Sequence, residues 1–265
     1  QIGYDLTRHL FKLRLDFDVM KYLSFGVNLS GTFEKNITAN SDDDSMESYH
    51  PWVTPYNEDG TLKYNIKSWK NYTMDPTPLS NPLQDNKYNN VTDLKNNLFG
   101  SFSATLKPFK WLSFSSTNTL TVNTNDYLDS RTYSGNHSRN EMSNGVLKVD
   151  DERSWTFLTS NILRLQHSFG EHNLSGLVGQ EWYERHTRSS HIEMYDQMIA
   201  GERNVGGFSK QGDKTNPAVI PTGAERESGS FSVFSEVNYN YAGKYMASVS
   251  FRTDGSTNFG KDNRY

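Results

Sequence analysis

The chain has 265 residues, 27 of them Lys or Arg and 31 Asp or Glu, giving a formal net charge of −4, and it contains no cysteine. No apolar run reaches the roughly 18 residues of a membrane helix, no cysteine pair can staple a secreted scaffold, and the mild acidity lacks the basic excess of a nucleic-acid binder. Aromatic residues at 13% argue against wholesale disorder, while a mean hydropathy of −0.77 leaves thinly spread apolar groups to offset the ordering entropy.

A chain with one face for lipid and one for water resolves that conflict. Residues 11–19 read Phe-Lys-Leu-Arg-Leu-Asp-Phe-Asp-Val, apolar at odd positions and charged at even ones. This period of two predicts a strand with one apolar and one polar face. After Met20-Lys21-Tyr22 the alternation resumes with Leu23, Phe25, Val27, Leu29, Gly31 and Phe33, which makes a hairpin. A second hairpin runs from Leu98 to Leu106, turns through Lys107-Pro108-Phe109-Lys110-Trp111 and returns from Leu112 to about Asn125. Pro108 falls where no ladder donor is needed. The third is less regular: Phe157, Leu163 and Leu165 hold one parity, Leu158 and Ile162 the other. It turns at Gly170-Glu171-His172-Asn173 and returns through Leu174, Val178 and Trp182. The fourth carries Phe231, Val233, Val237, Tyr239 and Tyr241, a turn at Ala242-Gly243-Lys244, then Tyr245, Ala247, Val249 and Phe251.

The pattern predicts an all-β antiparallel fold of about eight strands in four hairpins. The connections between hairpins, residues 36–95, 126–153 and 187–228, are rich in Asn, Ser, Gly and Asp. Loops of that length count against a compact soluble domain. A bacterial outer-membrane barrel accommodates them, with short periplasmic turns and long extracellular loops. Tyr22, Phe109, Trp111, Phe169, Tyr241 and Tyr245 cluster at the short turns, where amphipathic rings suit a membrane interface; the rival reading is that they cap a soluble β-sandwich. Lys12, Arg14, Asp16 and Asp18 then line a polar lumen. With the tight turns periplasmic, Gln1 and Tyr265 both fall on the outer side. No signal peptide opens the chain. Together these features predict an internal segment of a larger barrel.

Tyr239-Asn240-Tyr241-Ala242-Gly243-Lys244-Tyr245, followed by Arg252-Thr253-Asp254-Gly255-Ser256-Thr257-Asn258-Phe259-Gly260, resembles a hairpin and strand of the SusC/RagA-like TonB-dependent outer-membrane transporters. Pro55-Tyr56-Asn57-Glu58-Asp59-Gly60, Asn97-Leu98-Phe99-Gly100 and the hairpin Gly170–Gly179 resemble further stretches of that family in the same order. The resemblance implies a partial TonB-dependent receptor barrel over residues 1–265, belonging to a barrel of about 22 strands plugged by an N-terminal domain. It also implies residence in the outer membrane of a Gram-negative, Bacteroidetes-type bacterium, uptake of oligosaccharides or in some members oligopeptides, a SusD-like lipoprotein as lid, and energy from the TonB complex. The plug, the TonB-contacting part and the remaining strands lie outside the sequence.

Among candidate chemical groups, Asp42-Asp43-Asp44 offers oxygen ligands for calcium but lacks EF-hand spacing, and a solvated acidic loop explains it as well. Asn57-Glu58-Asp59-Gly60 reads as a turn. Arg252 and Asp254, which the resemblance puts at the outer rim, are candidates for an ion pair or for contact with ligand or lid, while Asp254-Gly255 reads first as shaping the strand's exit. The seven histidines form no close His-x-x-x-His pair, and no Gly-x-Ser-x-Gly elbow occurs, so neither a metal, a cofactor nor a catalytic centre is expected. The connections carry Trp52, Tyr56, Trp69, Tyr127, Tyr133 and Tyr195. Flat rings beside amides and carboxylates suit sugars, whose C–H faces stack while their hydroxyls are satisfied; packing of the loops on each other is the competing use. Trp52, Tyr56 and Trp69 are expected nearest the glycan path. The rivals to an oligosaccharide importer are a soluble β-rich glycan-binding module and an outer-membrane enzyme with loop carboxylates as catalysts.

Overall fold

The computed structural model describes residues 4–39, 53–63, 65–70, 73–81, 83, 86, 87, 89–132, 145–199, 201–212 and 220–260. The strands are β1 (Tyr4–Met20), β2 (Leu23–Ala39), β3 (Asn65–Lys70), β4 (Thr73–Ser80), β5 (Asn89–Phe109), β6 (Leu112–Thr132), β7 (Gly145–Phe169), β8 (His172–Gln197), β9 (Phe208–Gln211), β10 (Thr222–Tyr241) and β11 (Tyr245–Ser256). The main sheet runs in the order β1-β2-β5-β6-β7-β8-β10-β11, with β9 added to β8, while β3 and β4 form a separate hairpin. Along that path every strand pairs antiparallel with its neighbours. The eight expected strands and all four tight turns are present. The hairpin β3–β4 and the short β9 are additions inside the polar connections.

The turns follow from local chemistry. Between β10 and β11, Ala242 and Gly243 have φ of 50° and 68°, and the Lys244 N–H donates to the Tyr241 carbonyl at 2.9 Å. Two successive positive φ values give the primed turn whose twist matches that of the strands. The Asn240 side chain accepts from the Gly243 N–H at 2.9 Å and fixes the same turn.

Register then carries one face across the sheet. Leu13, Leu29, Gly100, Leu120 and Phe157 form one lateral row, each opposite the next. The alternate residues form the other face, with Asp16, Gly26 and Ser103 in one of its rows. The apolar face has almost no protein over it: Val178, Val237, Phe251 and Val249 keep 56, 51, 62 and 72% of their surface. Among the described residues only Leu147, Met194 and Phe208 are buried hydrophobics. A sheet with this much bare apolar surface is a wall between lipid and water, since contiguous patches beyond a few hundred Å² are rare on soluble monomers. No helix among the described residues is long and apolar enough to cross a membrane.

Two belts of rings bound the bare region. At the tight turns Phe109 stacks on Trp111 with centroids 5.3 Å apart, Phe169 on His172 at 5.0 Å and Tyr241 on Tyr245 at 6.4 Å. Higher up, Phe11 stacks on Phe33 at 6.3 Å and Trp155 on His186 at 5.9 Å, with Trp182 and Phe231 paired beside them. From Phe231 to Tyr241 is about 33 Å of strand at ~3.3 Å per residue, or about 25 Å of height at barrel tilt, matching the apolar band of outer-membrane barrels.

The strands do not stop there. β7 has 25 residues and β8 has 26, against the roughly 9–11 needed to span a bilayer. They run on into the stretches expected as loops, which is why β6 ends at Thr132 and not near Asn125. Above the membrane both faces meet water or other protein, so the hydrophobic alternation fades while the ladder continues.

Candidate functional site

The polar face of these upper extensions holds a candidate site. One lateral row places Asn36 opposite Asp93, Asp93 opposite Tyr127, Tyr127 opposite Asp150 and Asp150 opposite His191. Side chains directly opposite in an antiparallel pair have Cβ atoms about 4.5–5.5 Å apart, so the five form a continuous strip across β2, β5, β6, β7 and β8. Tyr127 is half-buried within it.

Most charges on this wall are neutralised by neighbours. Arg8 donates to Glu34 at 2.7 Å, Lys95 to Asp93 at 2.5 Å, Arg131 to Asp129 at 3.1 Å, and Lys148 lies 3.2 Å from Glu193. Asp150 differs: among the described residues its hydrogen-bond partner is the Nδ1 of His191. An ionised carboxylate only accepts, so His191 donates from Nδ1 and keeps Nε2 for another group. Glu152 makes no side-chain hydrogen bond or ion pair among the described residues. Beside Asp150 and Glu152 lies a groove of about 340 Å³, lined also by Asn125, Ser189, His191 and Thr222, within the size range of small-ligand pockets of about 300–1,000 Å³. It offers carboxylate acceptors, hydroxyl and amide groups and one imidazole, with the Tyr127 ring alongside: polar recognition, with no activated nucleophile. Among the described residues no group of three or more His, Asp or Glu could hold a metal ion.

The expected site residues are dispersed. Tyr127 lies at the centre of the strip. Tyr56 bridges to Leu62 in a short loop and is 46% exposed. That loop is anchored by the buried Asn81, whose amide donates to Pro55 and Lys63 carbonyls at 2.9 and 2.7 Å. Trp69 is a β3 residue opposite Met74, and Trp52 and Asp42–Asp44 lie outside the described residues. No hydrogen bond or ring contact joins Tyr56 to Tyr127 among the described residues. Arg252 and Asp254 sit on the polar face of β11, opposite Phe234 and Ser232. The Arg252 Nε donates to both Asp254 oxygens at 2.9 and 3.1 Å, and its Nη2 reaches Ser232 at 3.2 Å and Glu181 at 3.4 Å. Its guanidinium carbon lies 5.4 Å from the Phe234 ring centroid, and the Phe234 ring covers Gly179, where a Cβ would come within 2.2 Å of it. This cluster is level with the bare apolar band, well below the upper ends of β8 and β10, and so lies inside the wall instead of at its rim.

Sequence reasoning missed Asp93, Asp150, Glu152 and His191, because it placed them in loops. The available signal was parity: Asn125, Tyr127 and Asp129 continue the polar-face positions of β6 past Val122.

No family model matches the chain. TonB-dependent receptor P39 of Formosa agariphila is 23% identical over 272 residues, covering 98% of this chain and 24% of that protein. TonB-dependent receptor P3 of the same organism is 34% identical over 111 residues, 41% of this chain and 10% of that protein. The RagAB peptide transporter superposes with a TM-score of 0.75 at 17% identity, over 98% of this chain and 29% of the transporter chain. The chain resembles the barrels of SusC/RagA-like TonB-dependent receptors in sequence and in fold. It spans about a quarter of the length of the SusC-like relative it matches from end to end. In the barrel fold that this likeness shows, the polar face, with its Tyr127 strip and Arg252 cluster, is the luminal face and the bare face is the lipid side. These relatives are named as receptors and a transporter, not as enzymes.

Proposed function

We propose that this chain forms part of the wall of an outer-membrane importer for oligosaccharides, with the plug, the TonB-contacting part and the remaining strands supplied by sequence outside it. A SusD-like lipoprotein closes the outer mouth, and TonB supplies energy through the plug. The observation that carries the reading is the luminal strip Asn36–Asp93–Tyr127–Asp150–His191 beside the groove at Glu152. A ring platform flanked by carboxylate and amide acceptors matches a sugar, which has C–H faces and many hydroxyl donors. The bare apolar face speaks against a soluble glycan-binding module.

The test is binding and uptake of labelled oligosaccharides by the intact transporter. Tyr127→Ala is expected to weaken binding by about 0.5–1.5 kcal/mol, roughly two- to tenfold in Kd, with the barrel still inserted. Unchanged binding and uptake in that variant would remove the strip from the path. A second reading is import of oligopeptides, since RagAB is a peptide transporter. Asp150 and Glu152, which lack a permanent cationic partner among the described residues, favour it by suiting a peptide ammonium group. Competition decides: unlabelled peptide displacing the probe where oligosaccharide does not would replace the first reading by the second.

A further inference from the structure

Two cations on the luminal face stand without a counter-charge. Arg185 of β8 lies opposite Thr156 of β7 and Ser228 of β10, and Arg226 of β10 lies opposite Thr187 of β8. The two arginines are therefore diagonal neighbours on adjacent strands, about 7–8 Å apart, and both are exposed. Neither makes a side-chain hydrogen bond or ion pair among the described residues. Other cations of the same face are treated differently: Arg14 donates to Asp16 at 2.8 Å, and Arg8, Lys95, Arg131 and Arg252 have the carboxylate partners given above.

Their sequence neighbours do not supply the missing charge. Glu184, Glu225 and Glu227 alternate onto the outer face, where Glu225 meets His186 at 2.8 Å. On β7, β8 and β10 every luminal position beside or diagonal to the pair is uncharged, with hydroxyls from Ser154, Thr156, Thr187, Ser189 and Ser228. Like charges side by side on a sheet repel, and nothing on these strands relieves them. Two guanidinium groups among hydroxyl donors form a recognition set for an oxyanion. The pair also lies on the way inward: Arg226 is four residues below Thr222 of the groove and six above Ser232 of the Arg252 cluster.

We propose that Arg185 and Arg226 hold an oxyanion carried by the cargo, a carboxylate or a sulfate ester, so that the importer takes acidic oligosaccharides. This rests on the oligosaccharide reading above and narrows it. Glu152 acts from the upper end: its carboxylate repels the acidic group and leaves the strip to neutral hydroxyls, which sets the direction in which the cargo lies. Four residues of strand are about 13 Å at ~3.3 Å per residue, a span that a short oligosaccharide covers.

The experiment offers the intact transporter labelled oligosaccharide pools matched in length: neutral, uronate-bearing and sulfated. The acidic pools are expected to bind in preference to the neutral one. Replacing both arginines, Arg185→Gln with Arg226→Gln, is expected to weaken acidic binding about tenfold or more and to leave neutral binding unchanged. Whether the uronate-bearing or the sulfated pool binds tells carboxylate from sulfate ester. A neutral pool that binds as tightly as the acidic ones, or acidic binding unmoved in the variant, overturns the proposal and leaves the oligosaccharide reading standing. Binding of no pool overturns both. A second arm needs no sugar. Phenylglyoxal labels arginine, and mass spectrometry reads each site. Inorganic sulfate is expected to slow labelling of Arg185 and Arg226 severalfold against chloride at equal ionic strength, and not that of Arg153 on the outer face. Equal rates in the two salts, as when a carboxylate of the plug already fills the site, overturn the proposal as well.

Discussion

The lipid side of β6, β7 and β8 shows two treatments of the same residue type on one face. Low on the strands, Leu120, Leu163 and Val178 keep 46, 44 and 56% of their surface. High on the same strands, Leu147 and Met194 are 0 and 8% exposed, packed with Phe208 of β9 and with Leu128, Val149 and Ile192. Between them runs a hydrophilic interval of Thr124, Asp126, Asp151, Arg153, Arg188 and Ser190, on the same side by register. The chain covers its apolar groups only where water would reach them. Where the bilayer supplies an apolar solvent it leaves them bare, and at headgroup height it turns hydrophilic. The fold thus records the membrane boundary in the places where it spends protein on coverage.

This contrast can be broken at its upper end first. Leu147→Ala removes a fully buried side chain from a small cluster and is expected to cost about 2–5 kcal/mol. Leu163→Ala on the bare face is expected to cost clearly less, because a lipid chain fills the space. Urea unfolding of the intact barrel in vesicles measures both, and equal losses would refute the distinction between covered and bare. Val178→Arg sharpens the lower end: a charge near the middle of the band is expected to cost about 2–4 kcal/mol, whereas Arg188→Leu in the hydrophilic interval is expected to stay within about 0.5 kcal/mol. A comparable loss at both positions would mean that the interval is not at headgroup height. The luminal side gives a smaller effect. Gly179→Ala drives a methyl into the Phe234 ring, which is already 2.2 Å from the position of the missing Cβ, at an expected cost of about 1–3 kcal/mol. In a Phe234→Ala background that cost should vanish, and a double-mutant cycle reads the difference.

The membrane-spanning half of this fold was legible because one face of each strand meets lipid. Phe11 to Val19 and Ala247 to Phe251 alternate without a break, and their turns, strand order and facing follow directly. The upper half was not legible. Once both faces are wet or covered, Asp93, Asp150 and His191 look no different from loop residues, although backbone pairing holds them in register. Of the expected site residues, Tyr127 lies on the luminal strip, because its parity continues that of the polar positions of β6, opposite to Leu120 and Val122. Tyr56 belongs to a separately anchored loop that no periodicity connects to the wall. The position of Arg252 depended on how far its neighbours extend: β8 and β10 run far past it, so a residue near the end of β11 lies deep in the wall. Strand length, set by what surrounds the outer loops and not by local pattern, was the quantity missing from the sequence.

Asp59 is exposed, and beyond the Asn81 anchor turn chemistry holds its loop, with the smallest expected effect. The Thr61 hydroxyl and backbone N–H donate to one Asp59 oxygen at 2.6 and 2.9 Å, and the Asn57 amide donates to the Thr61 hydroxyl at 2.9 Å. The hydroxyl bond, followed by the backbone one, holds the Asp59 carboxyl below its ordinary value. A depressed carboxylate stabilises the loop above its unfolded pKa, and that contribution is lost as pH falls through the lower folded value. The Thr61 amide resonance in the intact protein should therefore titrate with a midpoint below the usual carboxylate value of about 3.9. Asp59→Asn keeps the acceptor oxygen but removes the charge, so the titration should disappear while the turn remains. A midpoint at the ordinary value would show that the hydroxyl bond does not persist in solution, and that Gly60, with its φ of +80°, shapes this corner without help from the carboxylate.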